Sequence, residues 1–548
     1  MRKLLSSLLI LSLLFSCSKE KEPTDPQGGA NDGKSLFVEA NWDGVKRGEV
    51  FYQIFVRSFA DSDGDGVGDL AGVTQKLDYL NNLGISGIWL TPIHPSPSYH
   101  GYDVDDFISI DTKYGTMSQF EALISKASSM GIKVILDLVV NHTSKNHPWF
   151  KSALSSTGST YRNWYLFAPS DNVQGWISSG LVPMTNNYFS GHWHSLSSGT
   201  TDYKYMGMFS DWMPDLNYGE ISVVENSPVF KEMVKIAEFW LSKGVSGFRL
   251  DAVKHIYQSE DSDENPRFLE KLYSAIKVKS PGVYMIGENL TGDYNKVAPY
   301  YKGLPALFNF DAWYKLIYVI ENSHAKWYPK DIKEMEVKFR SVRADAINAT
   351  KLSNHDEDRT MSRLNNDVAK AKIAASILLT VSGSPYIYYG EEIGMRGMKS
   401  SDDRNVREPF LWSQYSSDTY RTKWHTPLNS TEPSVLPVSL QQDDKTSILT
   451  HYKRLIKLRN TYSSLAKGSI EVPEYFDSYP KQIMAFYREF QGERLLVIHN
   501  VSSSISTYIL DHTFKKGVAE FGGVSYVKIN ESNYSVLMPA YSSVIFEL

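Results

Sequence analysis

Three acids stand where short apolar runs end. Asp251 closes GVSGFRLDAV, Glu288 closes GVYMIGEN and Asp356 closes ATKLSNHD. Arg249 lies two residues before Asp251, so on a strand both side chains face the same way. An arginine held beside a carboxylate keeps it ionised, which suits a nucleophile or an electrostatic stabiliser. Glu288 has apolar neighbours and no adjacent cation in the sequence. Desolvation there raises the carboxyl pKa, which suits a general acid. His355, next to Asp356, is a candidate donor to a bound polar ligand. Two carboxylates with proton affinities pushed apart are what cleavage of a glycosidic bond requires. Each residue taken alone also has a bland reading: Asp251 as a helix cap, Glu288 as half of a buried ion pair, Asp356 as the start of a charged loop. Together with His142, Arg249 and His355 at like strand ends, the three acids are hard to explain by structure alone.

The elements that must position them alternate in type. EVFYQIFVRSF (49–59), GISGIWLTPI (84–93), GIKVILDLVVNH (131–142), the three runs above and SPYIYYGEE (384–392) read as strands. Amphipathic segments such as VTQKLDYLNNLG and MSQFEALISKASSMG lie between them, each stopped by a glycine. That alternation predicts a parallel sheet covered by helices. Both a closed eight-stranded barrel and an open doubly wound sheet carry their sites at strand C-terminal ends. The number of repeats favours the barrel, a (β/α)8 TIM barrel in the α/β class. Residues 41–142 and 213–466 are assigned to it. An irregular insert after the third strand, 143–212, is rich in Trp, Tyr, Ser and Asn, and an insert of that length reads as a small domain of its own. From 467 to 548 short alternating runs such as QIMAFYREF and ERLLVIHNV predict a C-terminal antiparallel β-sandwich.

The loop DSDGDGVGD crowds Asp61, Asp63, Asp65 and Asp69 around Gly66. Carboxylates at alternate positions make a hard-cation site, and oxygen-only ligands favour calcium. The spacing imitates an EF-hand but ends in Gly72 where a bidentate glutamate would stand, so it is not one.

The first 17 residues read as a signal peptide: Arg2 and Lys3, then an apolar Leu4–Phe15 too short to span a bilayer. Cys17, the chain's single cysteine, follows it directly, so no internal disulfide framework exists. The arrangement resembles a bacterial lipobox with Cys17 lipidated, and 18–40 reads as a flexible tether. Lipidation is the one expected attachment to a membrane. With a formal net charge of -5 and no long basic run, nothing points to nucleic acid.

These motifs together resemble glycoside hydrolase family 13, the α-amylase family. Its first signature region, Asp-x-x-x-Asn-His, is matched by DLVVNH (137–142), the second by GFRLDAVKH, the third by the Glu of MIGEN and the fourth by SNHD. MPDLN (213–217), HGYDVDD (100–106) and YYGEEIG (388–394) also fit, all in family order. The resemblance implies Asp251 as nucleophile, Glu288 as acid/base and Asp356 as transition-state stabiliser. It implies that Tyr102 stacks on the sugar before the cleaved bond, and that His142, Arg249 and His355 bind that sugar or the nucleophile. Lys254 and His255 would line the site beyond the bond. For calcium it adds the Val67 carbonyl to the acidic loop, and a second site at Asn141, Asp215 and the His255 carbonyl.

The implied activity is retaining, endo-acting hydrolysis of α-1,4 bonds in starch and maltooligosaccharides. Exo-acting oligo-1,6- or α-glucosidases and transglycosylases share the same motifs, and a non-catalytic starch-binding surface protein is the reading from another class. With its lipobox the chain resembles the family's cell-surface members in bacterial starch utilisation. An outer-membrane lipoprotein, at the cell surface or facing the periplasm, that meets other starch-uptake proteins is therefore expected.

Overall fold

The computed structural model describes residues 37–178, 192–196, 202–257, 263–400 and 402–548. The lipobox with Cys17 and most of the tether lie outside them. Eight strands close a parallel barrel: β1 (Phe51–Ile54), β2 (Gly87–Leu90), β3 (Lys133–Leu138), β4 (Gly247–Leu250), β5 (Tyr284–Gly287), β6 (Ala306–Phe308), β7 (Ile347–Lys351) and β8 (Ser384–Tyr388). Each pairs with its neighbour in chain order, and β8 closes on β1 with Tyr386 opposite Phe51. Nearly every strand residue is buried, as expected for strands covered by helices outside and packed side chains inside. The barrel interior is aromatic. Phe51 stacks between Tyr386, with ring centroids 4.8 Å apart, and Tyr284, at 5.2 Å, and Phe308 packs on Trp89 at 5.4 Å. These rings fill the barrel below its C-terminal mouth, so the polar residues above rest on a rigid floor.

The strands are shorter than the apolar runs. The first run stops at Ile54, and Val56–Phe59 turns into a helix. The third strand ends at Leu138, four residues before His142. The sequence reading names seven strands; β6 is the eighth. Its three residues sit in an apolar stretch, PALFNFDAW, that runs straight into the helix Phe310–Asn322, so no change of period marks it.

Between β3 and β4 lie the helix Pro148–Ser155 and a small antiparallel sheet in which Tyr203–Met206 runs between Phe167–Pro169 and Trp193–Ser195. Beyond the barrel, Ser469–Glu471, Ile483–Phe490, Glu493–Asn500, Ser542–Glu547 and Lys516–Phe521 form a five-stranded sheet in that spatial order. A three-stranded sheet, Ser506–Asp511, Asn533–Met538 and Ser525–Lys528, completes the antiparallel sandwich. Leu496, Ile498, Leu510 and Val536 belong to its core. No helix among the described residues is long and apolar enough to cross a membrane.

Candidate active site

A cleft of about 690 Å³ opens at the C-terminal mouth of the barrel, and Asp251, Glu288 and Asp356 all line it. Asp251 follows β4 and Glu288 follows β5, while Asp356 lies on the loop after β7. The strand ends bring together acids that are far apart in sequence.

Arg249 organises the group. It is fully buried, with Nη1 2.6 Å from Asp251 Oδ1 and Nη2 2.7 Å from Glu288 Oε2. Nη1 also lies 2.5 Å from Asp137 Oδ1. One guanidinium thus faces three carboxylates. This corrects two expectations. Glu288 does have a cation beside it, delivered from the neighbouring strand. Arg249 also does not by itself fix Asp251 as an ordinary ionised carboxylate. Burial raises Asp251 to about 6 and Glu288 to about 7, with Arg249 pulling both down. Because they share Arg249 the two carboxyls titrate as a pair, with the higher value on Glu288. Ala252, directly after Asp251, adopts a positive φ of 48°. A non-glycine residue there is strained, and such strain is retained where the surroundings fix it.

Asp356 takes the opposite course. Burial pushes it up, but His355, Arg407 and Arg249 outweigh that and hold it well below the usual carboxylate range. Arg407 Nη2 is 2.8 Å from Asp356 Oδ1, and His355 Nε2 is 3.1 Å from Oδ2. His355 is fixed from both sides. Gln53 Nε2 donates to its Nδ1 at 2.7 Å, so the ring proton of the neutral imidazole sits on Nε2, toward Asp356 and the Tyr102 hydroxyl at 2.7 Å. Tyr102 stacks on the same ring, with centroids 5.3 Å apart and planes 8° from parallel.

His142 is buried, held neutral by burial that lowers it to about 3, and its Nε2 has no hydrogen-bond partner among the described residues. A buried unpaired ring nitrogen on a cleft wall is ready for a ligand hydroxyl. Lys254 and His255 line the cleft beyond Asp251, where Phe209 packs edge-on to His255 and also contacts His142.

Sequence reasoning missed Gln53, Phe209 and Arg407, and took Asp137 only as a motif position. Asp137 is the buried counter-ion of Arg249 and also accepts from Trp89 Nε1 at 2.7 Å. Its signal was present, since DLVVNH opens on it at a strand end. Arg407 arrives from a loop after β8 and carries no pattern of its own.

The acidic loop brings Asp61, Asp63 and Asp65 together, with one oxygen of each within 4.8 Å of the others. Asp69, expected among the same ligands, also accepts from Gly72 N at 2.8 Å and caps the helix Leu70–Leu83. It also accepts from Ser62 N and Oγ. Val67 sits on the same turn, its N–H bonded to Asp65 Oδ1 at 2.7 Å. Elsewhere, Asn141 Nδ2 donates to Asp215 Oδ1 at 3.2 Å. Asp215 is buried and pushed up to about 8.

Residues 53–468 match the family model for the α-amylase catalytic domain, and residues 483–545 match that for the α-amylase SusG C-terminal domain. The chain is 36% identical to α-amylase SusG of Bacteroides thetaiotaomicron, over 99% of both proteins. It is 40% identical to α-amylase 3 of Dictyoglomus thermophilum, over 91% of this chain and 93% of that one. It is also 31% identical to an oligo-1,6-glucosidase of Parageobacillus thermoglucosidasius, over 85% and 92%. Among solved structures, the α-amylase from H. orenii superposes with a TM-score of 0.80 at 35% identity, covering 91% of this chain and 99% of that one.

Proposed function

The chain belongs to the α-amylase family of glycoside hydrolases, and from that premise we propose that it is a retaining, endo-acting α-amylase that cleaves α-1,4 bonds in starch and maltooligosaccharides. The observation that carries the reading is the Arg249 guanidinium within 2.7 Å of both the Asp251 and Glu288 carboxylates. It sets two acids of unequal proton affinity on one cleft. Glu288, the later to ionise, protonates the glycosidic oxygen. Asp251 attacks the anomeric carbon, and the sugar–oxygen bond breaks as the covalent glycosyl-enzyme forms. Glu288, now a carboxylate, takes a proton from water, which displaces Asp251 from the sugar. Two inversions retain the configuration. Asp356, held ionised by Arg407 and His355, grips the sugar hydroxyls more strongly as the ring flattens. Tyr102 gives that sugar a flat face. His142 and His355 meet its hydroxyls, and Lys254 and His255 receive the leaving side.

Two calcium ions complete the proposal. Asp61, Asp63, Asp65 and Asp69, with the Val67 carbonyl, would hold the first, and the fit rests on the converging carboxylates of Asp61, Asp63 and Asp65, which otherwise repel. Asn141, Asp215 and the His255 carbonyl would hold the second, supported by a buried Asp215 carboxylate whose hydrogen bonds come from neutral donors. Both ions would be structural. Lipidation at Cys17 would tether the enzyme to the outer membrane at the cell surface, beside other starch-uptake proteins. This is supported by the lipobox and by the kinship to SusG.

The test is reducing-sugar release from soluble starch by the wild type and by Glu288→Gln, followed by the product profile on starch, pullulan and maltooligosaccharides. Early long fragments support endo attack. Glucose alone would move the assignment to the exo-acting oligo-1,6-glucosidase side of the family. Starch binding without release would make the protein a binder.

A further inference from the structure

Lys351 is the last residue of β7, and its position is unusual for a lysine. It is 3% exposed, and its ammonium has no hydrogen-bond partner among the described residues. It sits instead on two aromatic faces, 4.1 Å from the centroid of Phe310 and 4.4 Å from that of Trp313. Both rings lie on the helix Phe310–Asn322 that follows β6. A buried ammonium rarely does without an anion, because desolvation is expensive and an aromatic face offsets only part of it.

Its place in the barrel gives the reason. Lys351 stands opposite Tyr386 in register, and Ala349 stands opposite Phe308. Tyr386 and Phe308 are packed against each other, 4.9 Å apart. Partners in a parallel ladder point the same way, so Lys351 enters the barrel at its upper rim. Phe310, the ring beneath its ammonium, itself lines the cleft with Glu288 and Asp356. Only β6 separates β7 from β5, after which Glu288 stands. Two strand spacings are about 10 Å. The charged groups acting on Lys351 come from every neighbouring element: Glu288 after β5, Asp356 and Glu357 after β7, and Glu391 after β8. The largest charged influences on Glu288 are Arg249, Asp251 and Asp356, and the Lys351–Glu288 interaction adds to them as a smaller, longer-range one.

We propose that Lys351 is a positioning residue for the reaction: its ammonium, held on Phe310 and Trp313 and tied to no single carboxylate, is a fixed positive charge under the cleft floor that sets how readily Glu288 gives up its proton. A lysine paired to one carboxylate would be neutralised by it. The aromatic seat keeps the charge available to the whole mouth of the barrel. Burial lowers Lys351 to about 8, so most of its charge is present at the midpoint of Glu288, about 7, and is lost above it. The inference rests on Glu288 being the acid/base.

The experiment measures kcat/KM against pH for the wild type, Lys351→Met and Lys351→Gln on a soluble maltooligosaccharide, with Glu288→Gln alongside and thermal unfolding of each. Losing the charge makes Glu288 hold its proton to higher pH. The alkaline limb should therefore move up in both variants, by a few tenths of a unit to roughly one pH unit, as expected for a unit charge two strand spacings away in a partly screened interior. An unmoved limb in a folded variant overturns the proposal, whatever happens to the rate. Should Lys351→Met fail to fold, Lys351→Gln, which keeps a polar head, decides it. An active Glu288→Gln would sink the assignment of Glu288 itself. An inactive Glu288→Gln with an unmoved limb sinks only the role of Lys351.

Discussion

Arg249 Nη2 and Glu288 Oε2 face each other at 2.7 Å across neighbouring barrel strands, while Nη1 of the same guanidinium serves Asp251 and Asp137. Removing one member of a buried ionic cluster leaves the others charged and unpaired, which costs about 3–5 kcal/mol. Arg249→Met should therefore lower the melting temperature sharply as well as abolish hydrolysis. Adding Asp137→Asn should recover part of the stability and none of the activity, since Asp137 is the counter-ion with no place in the chemistry. Melting curves of the single and double variants check this, and independent losses would contradict it.

The pH dependence follows from the two raised carboxyls. Asp251 works as the anion, so activity is lost as pH falls through about 6. Glu288 works as the acid, so activity is lost as pH rises through about 7. A narrow bell in kcat/KM is expected, and because the two acids share Arg249 its limbs belong to the pair. A plateau reaching pH 9 would be incompatible with Glu288 as the proton donor.

Gln53 acts on the site through His355. Its amide nitrogen donates to Nδ1 and so directs the Nε2 proton toward Asp356 and the Tyr102 hydroxyl. Gln53→Leu removes that control in a buried position and should lower kcat about tenfold or more, with a smaller change in KM. Gln53→Glu should not rescue it, because a carboxylate accepts where the amide donates. Steady-state kinetics on one oligosaccharide separate the two parameters.

Calcium on the acidic loop should appear as stability. A ligand bound only by the folded state contributes about 2.7 kcal/mol at a hundredfold excess over its Kd. Chelator should lower the melting temperature, and calcium should restore it. Asp63→Asn with Asp65→Asn should weaken this calcium response and leave kcat unchanged below the transition, because neither residue lines the cleft. A variant pair that kept the full calcium response would move the ion elsewhere.

The acids were legible in the sequence because each closes an apolar run, and a strand end is a local signal. Strand β6 was not, since its three residues continue without a break into the apolar face of the next helix. Asp69 shows a different limit. Its spacing fits the cation loop and the same residue is the N-cap of the following helix. A carboxylate can accept at several lone pairs, so the spacing alone does not separate the two uses.

By itself the sequence determined the α/β alternation, the motifs at the strand ends and the three acids they carry, all of which are written in runs of a dozen residues or fewer. Only the tertiary structure decided what surrounds each acid. The cation beside Glu288, the Gln53–His355 bond and the Arg407 clamp on Asp356 all cross between strands or loops that closure of the barrel brings together. Proton affinities in a buried site are set by neighbours within a few ångströms in space, and in a parallel barrel those neighbours are tens to hundreds of residues away along the chain.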